Sequence, residues 1–276
     1  MKKHISTIII MLILLLGISL LLYPSVSDYI NSVHRAKDIT TYAQAVSETD
    51  KAEYDKMWNE AVEYNTALAK KPTLWRLSEE EAKIYENILD VSGTGVMSYV
   101  EIPKLSCSLP IYHGTDTDVL QIAVGHLEGS SLPVGGKSTH TVLSAHRGLP
   151  SAKLFSSLDK LVEGDVFYIR TLNETLCYEV DEINIVLPYE TEFLQNVPGE
   201  DLCTLMTCTP YGINTHRLLV RGKRVDNEEN YDVRVTADAL QIDPFMVAPV
   251  IAAPILIILF ISVITYKRKK FSNESR

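Results

Sequence analysis

The spacing of apolar and polar residues divides this chain into distinct textures. From Asp28 to Lys71 apolar positions recur at helical intervals. Tyr29, Val33, Ala36 and Ile39 to Tyr42 form one stripe, and Tyr54, Met57, Trp58, Ala61, Tyr64 and Leu68 form a second. A period near 3.6 predicts two amphipathic helices, with Ser47 and Asp50 at capping-box spacing between them. Pro72 interrupts the pattern within the irregular segment KKPTLWRL, Lys70 to Leu77. Ser78 and Glu81 restart it as a second capping box, followed by Ile84, Tyr85, Ile88 and Leu89, and Gly93 and Gly95 end the helix.

Beyond Gly95 the texture changes to short β-type runs punctuated by Gly, Pro and Asn/Asp. Strands are predicted near Val96 to Ile102, Leu109 to Tyr112, Thr139 to Ala145, Asp165 to Ile169, Leu176 to Ile185, Leu202 to Thr207 and Arg217 to Val225. Short helices are expected at Thr117 to Ile122 and Ser151 to Leu154. Many short strands with few helices between them predict a mainly β domain, an antiparallel barrel or sandwich.

Two uncharged runs stand outside these periods. Ile5 to Tyr23 follows Lys2, Lys3 and His4, and its 19 residues approach the roughly 20 that cross a bilayer. It fits a signal anchor or a secretory signal peptide; length and flanks favour the anchor. Phe245 to Tyr266, 22 residues broken only by Pro249 and Pro254, runs straight into Lys267-Arg268-Lys269-Lys270. That is the pattern of a transmembrane helix with a cytoplasmic tail. With both basic ends inside, the intervening residues are expected to face outward. Asp28 to Ile242 carries 19 Lys and Arg against 33 Asp and Glu, a formal charge of −14. Such a surface argues against nucleic acid as a partner. Its four cysteines, Cys107, Cys177, Cys203 and Cys208, are sparse for a stapled scaffold.

Chemistry concentrates in TLMTCTPYGINTHR, Thr204 to Arg217. As a strand, Leu202, Thr204, Met206 and Cys208 point one way, and Cys203, Leu205 and Thr207 the other. Pro210, Gly212 and Asn214 are turn formers, and a strand resumes at Arg217. A loop of this length between antiparallel neighbours sets Cys208 beside Arg217, where a cation favours thiolate over thiol. A thiol nucleophile also needs a proton-transfer partner. Among His34, His113, His126, His140, His146 and His216, His146 is the best placed, because it ends the apolar run Thr141 to Ala145 and opens the loop Arg147 to Pro150. On residue type and position alone, the same three residues are equally compatible with a packed cysteine, a surface histidine and a strand arginine.

The stretches TLMTCTPYGINTHRLLVRGKR, LSAHRGLPSAKLF, YVEIPKL, LPIYHGT and VGHLEGSSLPVGGKSTH resemble the sortases, specifically the class C, pilin-assembling branch. The similarity covers about Val96 to Val225, with His146 62 residues before Cys208 and Arg217 9 residues after it. The resemblance implies a closed eight-stranded β-barrel behind a helical arm, and a cysteine transpeptidase on the outer face of a Gram-positive cell membrane. In that picture Cys208 attacks the Thr–Gly carbonyl of an LPxTG-like sorting signal and His146 moves the proton. Arg217 holds substrate and oxyanion, with Thr207 and Thr209 as further substrate contacts. The acceptor is an amine, most typically a pilin lysine; a wall-anchoring enzyme using a peptidoglycan amine and a silent, membrane-tethered binding module are the competing expectations. No cofactor and no metal are implied, and Glu190 and Glu192 read as a solvated loop. At reference pKa values only about 1% of such an enzyme is thiolate plus imidazolium at neutral pH, so turnover is slow unless the site shifts them.

Class C sortases usually carry a lid with an Asp-Pro-aromatic motif before the barrel, whereas this chain has Thr73-Leu74-Trp75-Arg76-Leu77. Trp75 is the candidate cover for Cys208, and Arg76 would repel Arg217. The expected partition is a signal anchor or signal peptide at 1–27, an arm at 28–92 with a lid-like segment at 70–77, and a barrel at 93–226. An acidic linker at 227–243, a membrane helix at 244–266 and a basic tail at 267–276 complete it.

Overall fold

The computed structural model describes residues 2–71 and 77–226. Trp75 and the expected linker 227–243, membrane helix 244–266 and basic tail 267–276 lie outside the described residues. Helix α1 (Lys2–Glu48) runs unbroken through Pro24. Its N-terminal part is long and apolar enough to cross a membrane, and Leu12, Ile13, Leu15, Leu16 and Leu20 along it are exposed.

Residues 30–226 belong to a second unit. There the end of α1 is followed by α2 (Lys51–Leu68) and α3 (Glu79–Asn87). The cap between the first two differs from the sequence expectation. Asp50 is itself the N-cap of α2 and accepts the Glu53 N–H at 2.8 Å, while the Ser47 hydroxyl donates back to Gln44 O inside α1 at 2.7 Å. The carboxylate wins because an N-cap oxygen must reach the free N–H groups ahead of it. Ser78 and Glu81 do form the expected reciprocal box. Helix α3 stops at Asn87, before Leu89 adopts φ 68°, so Ile88 and Leu89 leave the helix and pack in the core.

Eight strands follow: β1 (Val96–Ile102), β2 (Cys107–His113), β3 (Val124–His126), β4 (Thr139–Ser144), β5 (Val166–Thr171), β6 (Glu174–Val186), β7 (Asp201–Thr209) and β8 (His216–Val225), with a short helix, α4 (Thr117–Leu120), before β3. They close into a barrel in the order β1-β2-β3-β4-β7-β8-β6-β5, which removes the sandwich alternative and leaves no free sheet edge. Two pairings, β2 with β3 and β4 with β7, are parallel, so the barrel is mixed and not purely antiparallel as the texture suggested. Strand β3 was not anticipated: three residues, all buried, give no alternation to read. Cys107 opens β2, two residues before the predicted start of that strand at Leu109. Ser151 to Leu154 is not helical; Leu149 bridges Ala152, Leu154 takes φ 38°, and Phe155 N–H closes back on His146 O.

One apolar cluster joins arm and barrel: Tyr42, Ala61, Tyr85 and Leu89 pack with Met97, Ile111, Phe155, Phe167, Leu205 and Val220. Three buried polar side chains fix the docking. Tyr42 donates to Met97 O at 3.0 Å and accepts Leu172 N–H at 2.7 Å. The Asn65 amide exchanges both of its bonds with the Leu132 backbone. The Tyr85 hydroxyl sits 2.9 Å from His126 Nδ1 and accepts Gly114 N–H at 2.9 Å. His126 Nε2 faces Ser131 O at 2.8 Å, so it carries the ring proton and Nδ1 is the acceptor. Burial pulls the His126 pKa down to about 4, which keeps this arrangement neutral.

Replacing Tyr85 by Phe strands His126 Nδ1 in a buried site and Gly114 N–H in a half-buried one. The expected loss is about 1–3 kcal/mol of unfolding free energy in a urea titration; an unchanged midpoint would show that the hydroxyl does not hold the arm to the barrel.

Candidate active site

Strands β7 and β8 are antiparallel neighbours, and Cys208 and Arg217 are direct cross-strand partners. The loop between them turns on Pro210, whose carbonyl accepts Ile213 N–H and Asn214 N–H, with Gly212 at φ 76° and Asn214 at φ 61°. The left-handed positions fall on the residue types that tolerate them. On the other side of Arg217, its ladder partner in β6 is Val186.

The histidine arrives on β7's other neighbour. Strands β4 and β7 run parallel, with Val142 opposite Thr204, Leu143 opposite Leu205 and Ser144 opposite Met206. The ladder is extended by Ala145 N–H to Met206 O at 3.1 Å and by the Thr207 hydroxyl to Ala145 O at 2.7 Å. Continuing that register brings His146 level with Cys208. The strand-end order across the rim is thus Arg217, Cys208, His146, all three half-buried.

The remaining histidines are committed elsewhere. His34 is exposed on α1. His113 lies between the carbonyl oxygens of Gly95 and Ile88, at 3.1 and 2.7 Å. His126 is in the arm-docking network, and buried His140 spans Gln195 O and Thr204 Oγ1. His216 meets Thr215 Oγ1 at 2.9 Å. Among the described residues His146 makes no side-chain hydrogen bond. Burial lowers its pKa, and the Arg217 charge lowers it further. None of the four cysteines is in a disulfide. Burial pushes the Cys203 thiol well up and the Cys107 thiol up to about 12, and Cys177 is buried.

Arg217 turns its guanidinium onto its own hairpin, donating to His216 O at 3.2 Å and Asn214 O at 3.5 Å; among the described residues it has no carboxylate partner. Thr207 and Thr209, read from the sequence as substrate contacts, are 2% and 8% exposed. The Thr207 hydroxyl is bonded to Ala145 O, and Thr209 Oγ1 accepts Arg147 Nη1 at 3.2 Å. Arg147 was not singled out from the sequence, although its place directly after His146 was the available signal. Its other guanidinium nitrogen, Nη2, lies 2.7 Å from Asp159 Oδ2.

A sortase-domain family model matches residues 100–225. Sortase A of Streptococcus agalactiae is 29% identical over 131 residues, 46% of this chain and 52% of that protein; the chain spans about half the length of that curated relative. The solved structure of sortase C1 from Streptococcus agalactiae is 50% identical with a TM-score of 0.68, covering 70% of this chain and all of that one. The chain belongs to the sortase family. Its likeness to sortase C structures puts it in the class C branch. Sortase C of Streptococcus pneumoniae, whose structure is described in terms of catalysis and pilin substrate specificity, is 45% identical with a TM-score of 0.62, over 69% of this sortase and 97% of its own chain.

The Arg217 charge opposes protonation of His146, so removing it should move the imidazole pKa upward. Following the His146 ring resonances by NMR across pH in wild type and Arg217→Gln tests the sign. A downward or absent shift would place the guanidinium out of electrostatic reach of the ring.

Proposed function

We propose that this sortase is a membrane-anchored cysteine transpeptidase in which Cys208 is the nucleophile, His146 the proton carrier and Arg217 the oxyanion partner. The observation that carries the reading is the direct pairing of Cys208 on β7 with Arg217 on β8, with His146 two residues past the end of β4, the parallel neighbour on the other side of β7.

The Cys208 thiolate attacks the Thr–Gly carbonyl carbon of an LPxTG-like sorting signal. Its electron pair forms the C–S bond, and the carbonyl pair moves onto oxygen as an oxyanion facing Arg217. Collapse expels the glycine amine, which takes its proton from imidazolium His146, and a thioester remains. An incoming primary amine then attacks the thioester, gives a proton to the now neutral His146, and releases the thiolate as the new amide forms. The lowered His146 pKa makes the imidazolium scarce at neutral pH but a stronger acid toward the leaving amine. The described similarity to sortase C proteins, one of them discussed in terms of pilin substrate specificity, supports a pilin lysine as that amine and an isopeptide-linked polymer as product. The apolar part of α1, continuous with the arm helix, supports a retained anchor holding the barrel at the outer membrane face.

Incubating the full chain in detergent with an LPxTG-type peptide should give an intact-mass increase equal to the acyl fragment. Cys208→Ala should show none, and His146→Ala should slow adduct formation by about 10²–10⁴-fold. An adduct on Cys208→Ala would exclude Cys208 as the nucleophile.

A further inference from the structure

We infer that Arg147 is a positioning residue: with Thr209, and with Thr207 acting on the other side, it brackets His146 and holds it in register with Cys208. The inference rests on the functional reading above and adds residues that it does not use.

The β4–β7 backbone ladder stops short of the reacting pair. Its last residue pair is Ser144 with Met206, and its last backbone bond is Ala145 N–H to Met206 O. After His146 the chain enters a loop with Gly148 at φ 77°, Pro150 and Leu154 at φ 38°, whose backbone pairs with itself through Leu149 and Ala152 and not with β7. Nothing in the ladder therefore fixes His146. Phe155 N–H bonds to His146 O at 3.3 Å from within the loop, and two side-chain bonds tie this stretch to β7. Thr207, the residue before Cys208, bonds to Ala145, the residue before His146. Thr209, the residue after Cys208, is bonded by Arg147, the residue after His146. The pairs 145 with 207 and 147 with 209 continue the parallel register and enclose the pair 146 with 208.

Arg147 is itself held. Its side chain is only 10% exposed, and Asp159, in the 3-10 turn Leu158–Lys160, takes Nη2 while Thr209 takes Nη1. Tyr211, from the loop after β7, lies under the guanidinium at 5.9 Å from ring centroid to Cζ. Gly148 suits the close approach: it takes φ 77°, and a Cβ there would stand 3.0 Å from the Tyr211 ring, which would have to shift by a few tenths of an ångström. A planar fork reaching two acceptors is a geometry that lysine's single ammonium does not reproduce. The Arg147 charge is neutralised by Asp159, so it acts through position. The threonines on either side of Cys208 thereby serve the histidine and not the sorting signal.

The test uses the full chain in detergent and the peptide-adduct assay. Misplacement of a catalytic group by about 1 Å lowers rate by up to about 10²-fold. Arg147→Met, which keeps the apolar stem, should lower kcat about 10- to 100-fold with KM within about twofold of wild type. Thr209→Val, which removes only the acceptor, should lower kcat in the same direction, and the double variant should be no slower than Arg147→Met alone. Alkylation of Cys208 by iodoacetamide, which needs no histidine, should keep its wild-type rate in all three. Unchanged kcat in Thr209→Val overturns the bracket, and so does a raised KM at constant kcat, which would return Thr209 to substrate binding. Loss of alkylation and turnover together, with a collapse in Tm, would mark a purely structural role. Cys208→Ala run alongside separates the two levels: an adduct there defeats the nucleophile assignment whatever Arg147 does.

Discussion

Strand β7 is paired on both sides, parallel to β4 and antiparallel to β8, and the site depends on that one arrangement. An antiparallel partner delivers its first residues to the end of β7, so Arg217 arrives at the start of β8. A parallel partner delivers its last residues to the same end, so His146 arrives as β4 finishes. A purely antiparallel barrel would bring the start of a strand from each side and leave His146 at the opposite rim. The mixed topology is therefore what lets two side chains 71 residues apart in sequence flank one thiol.

The rest of the molecule supports this rim from the other direction. Closure of the barrel leaves β7 no freedom to slide, because a one-residue slip would turn Cys208 and its apolar neighbours to the wrong face. The arm adds to that restraint through bonds that only one docking satisfies: Tyr42 at the β1 and β5 ends, Asn65 at Leu132, and Tyr85 at His126 and Gly114. Buried polar groups of this kind contribute modestly when paired and cost much more when left unpaired. They therefore specify the arrangement more than they strengthen it.

The sequence shows the two halves of the site unequally. Cys208 and Arg217 are joined by a short loop of turn-forming residues, so parity and hairpin geometry pair them without any knowledge of the fold, and the ladder agrees. His146 is brought in by a parallel pairing across some sixty residues, which no local period encodes; its place at the end of an apolar run marks it as a candidate, and only the resemblance joins it to Cys208. Local signals also misled where a neighbour decided the outcome. Ser151 to Leu154 has helix-compatible residues, but Ala152 and Phe155 are buried and the backbone between them bends to reach the core. Strand β3 is too short to alternate. The hydroxyls of Thr207 and Thr209 are bonded to Ala145 O and by Arg147, partners that the linear chain does not show.

The electrostatics of the rim contain a conflict that the strand order moderates. Burial first and the Arg217 charge second lower the His146 pKa, so the cation that faces the oxyanion in the proposed reaction also opposes the acid. Arg217 is one strand from Cys208 and two strands from His146, and strands are spaced about 4.8 Å apart. Since the interaction between charges falls as the inverse of their separation, a charge one strand away acts more strongly than the same charge two strands away. In the proposed reaction the charge that develops on the substrate oxygen forms on that nearer side. The order Arg, Cys, His thus places the cation where it stabilises the oxyanion most while it hinders the acid least; interchanging the two flanking residues' distances would reverse that balance.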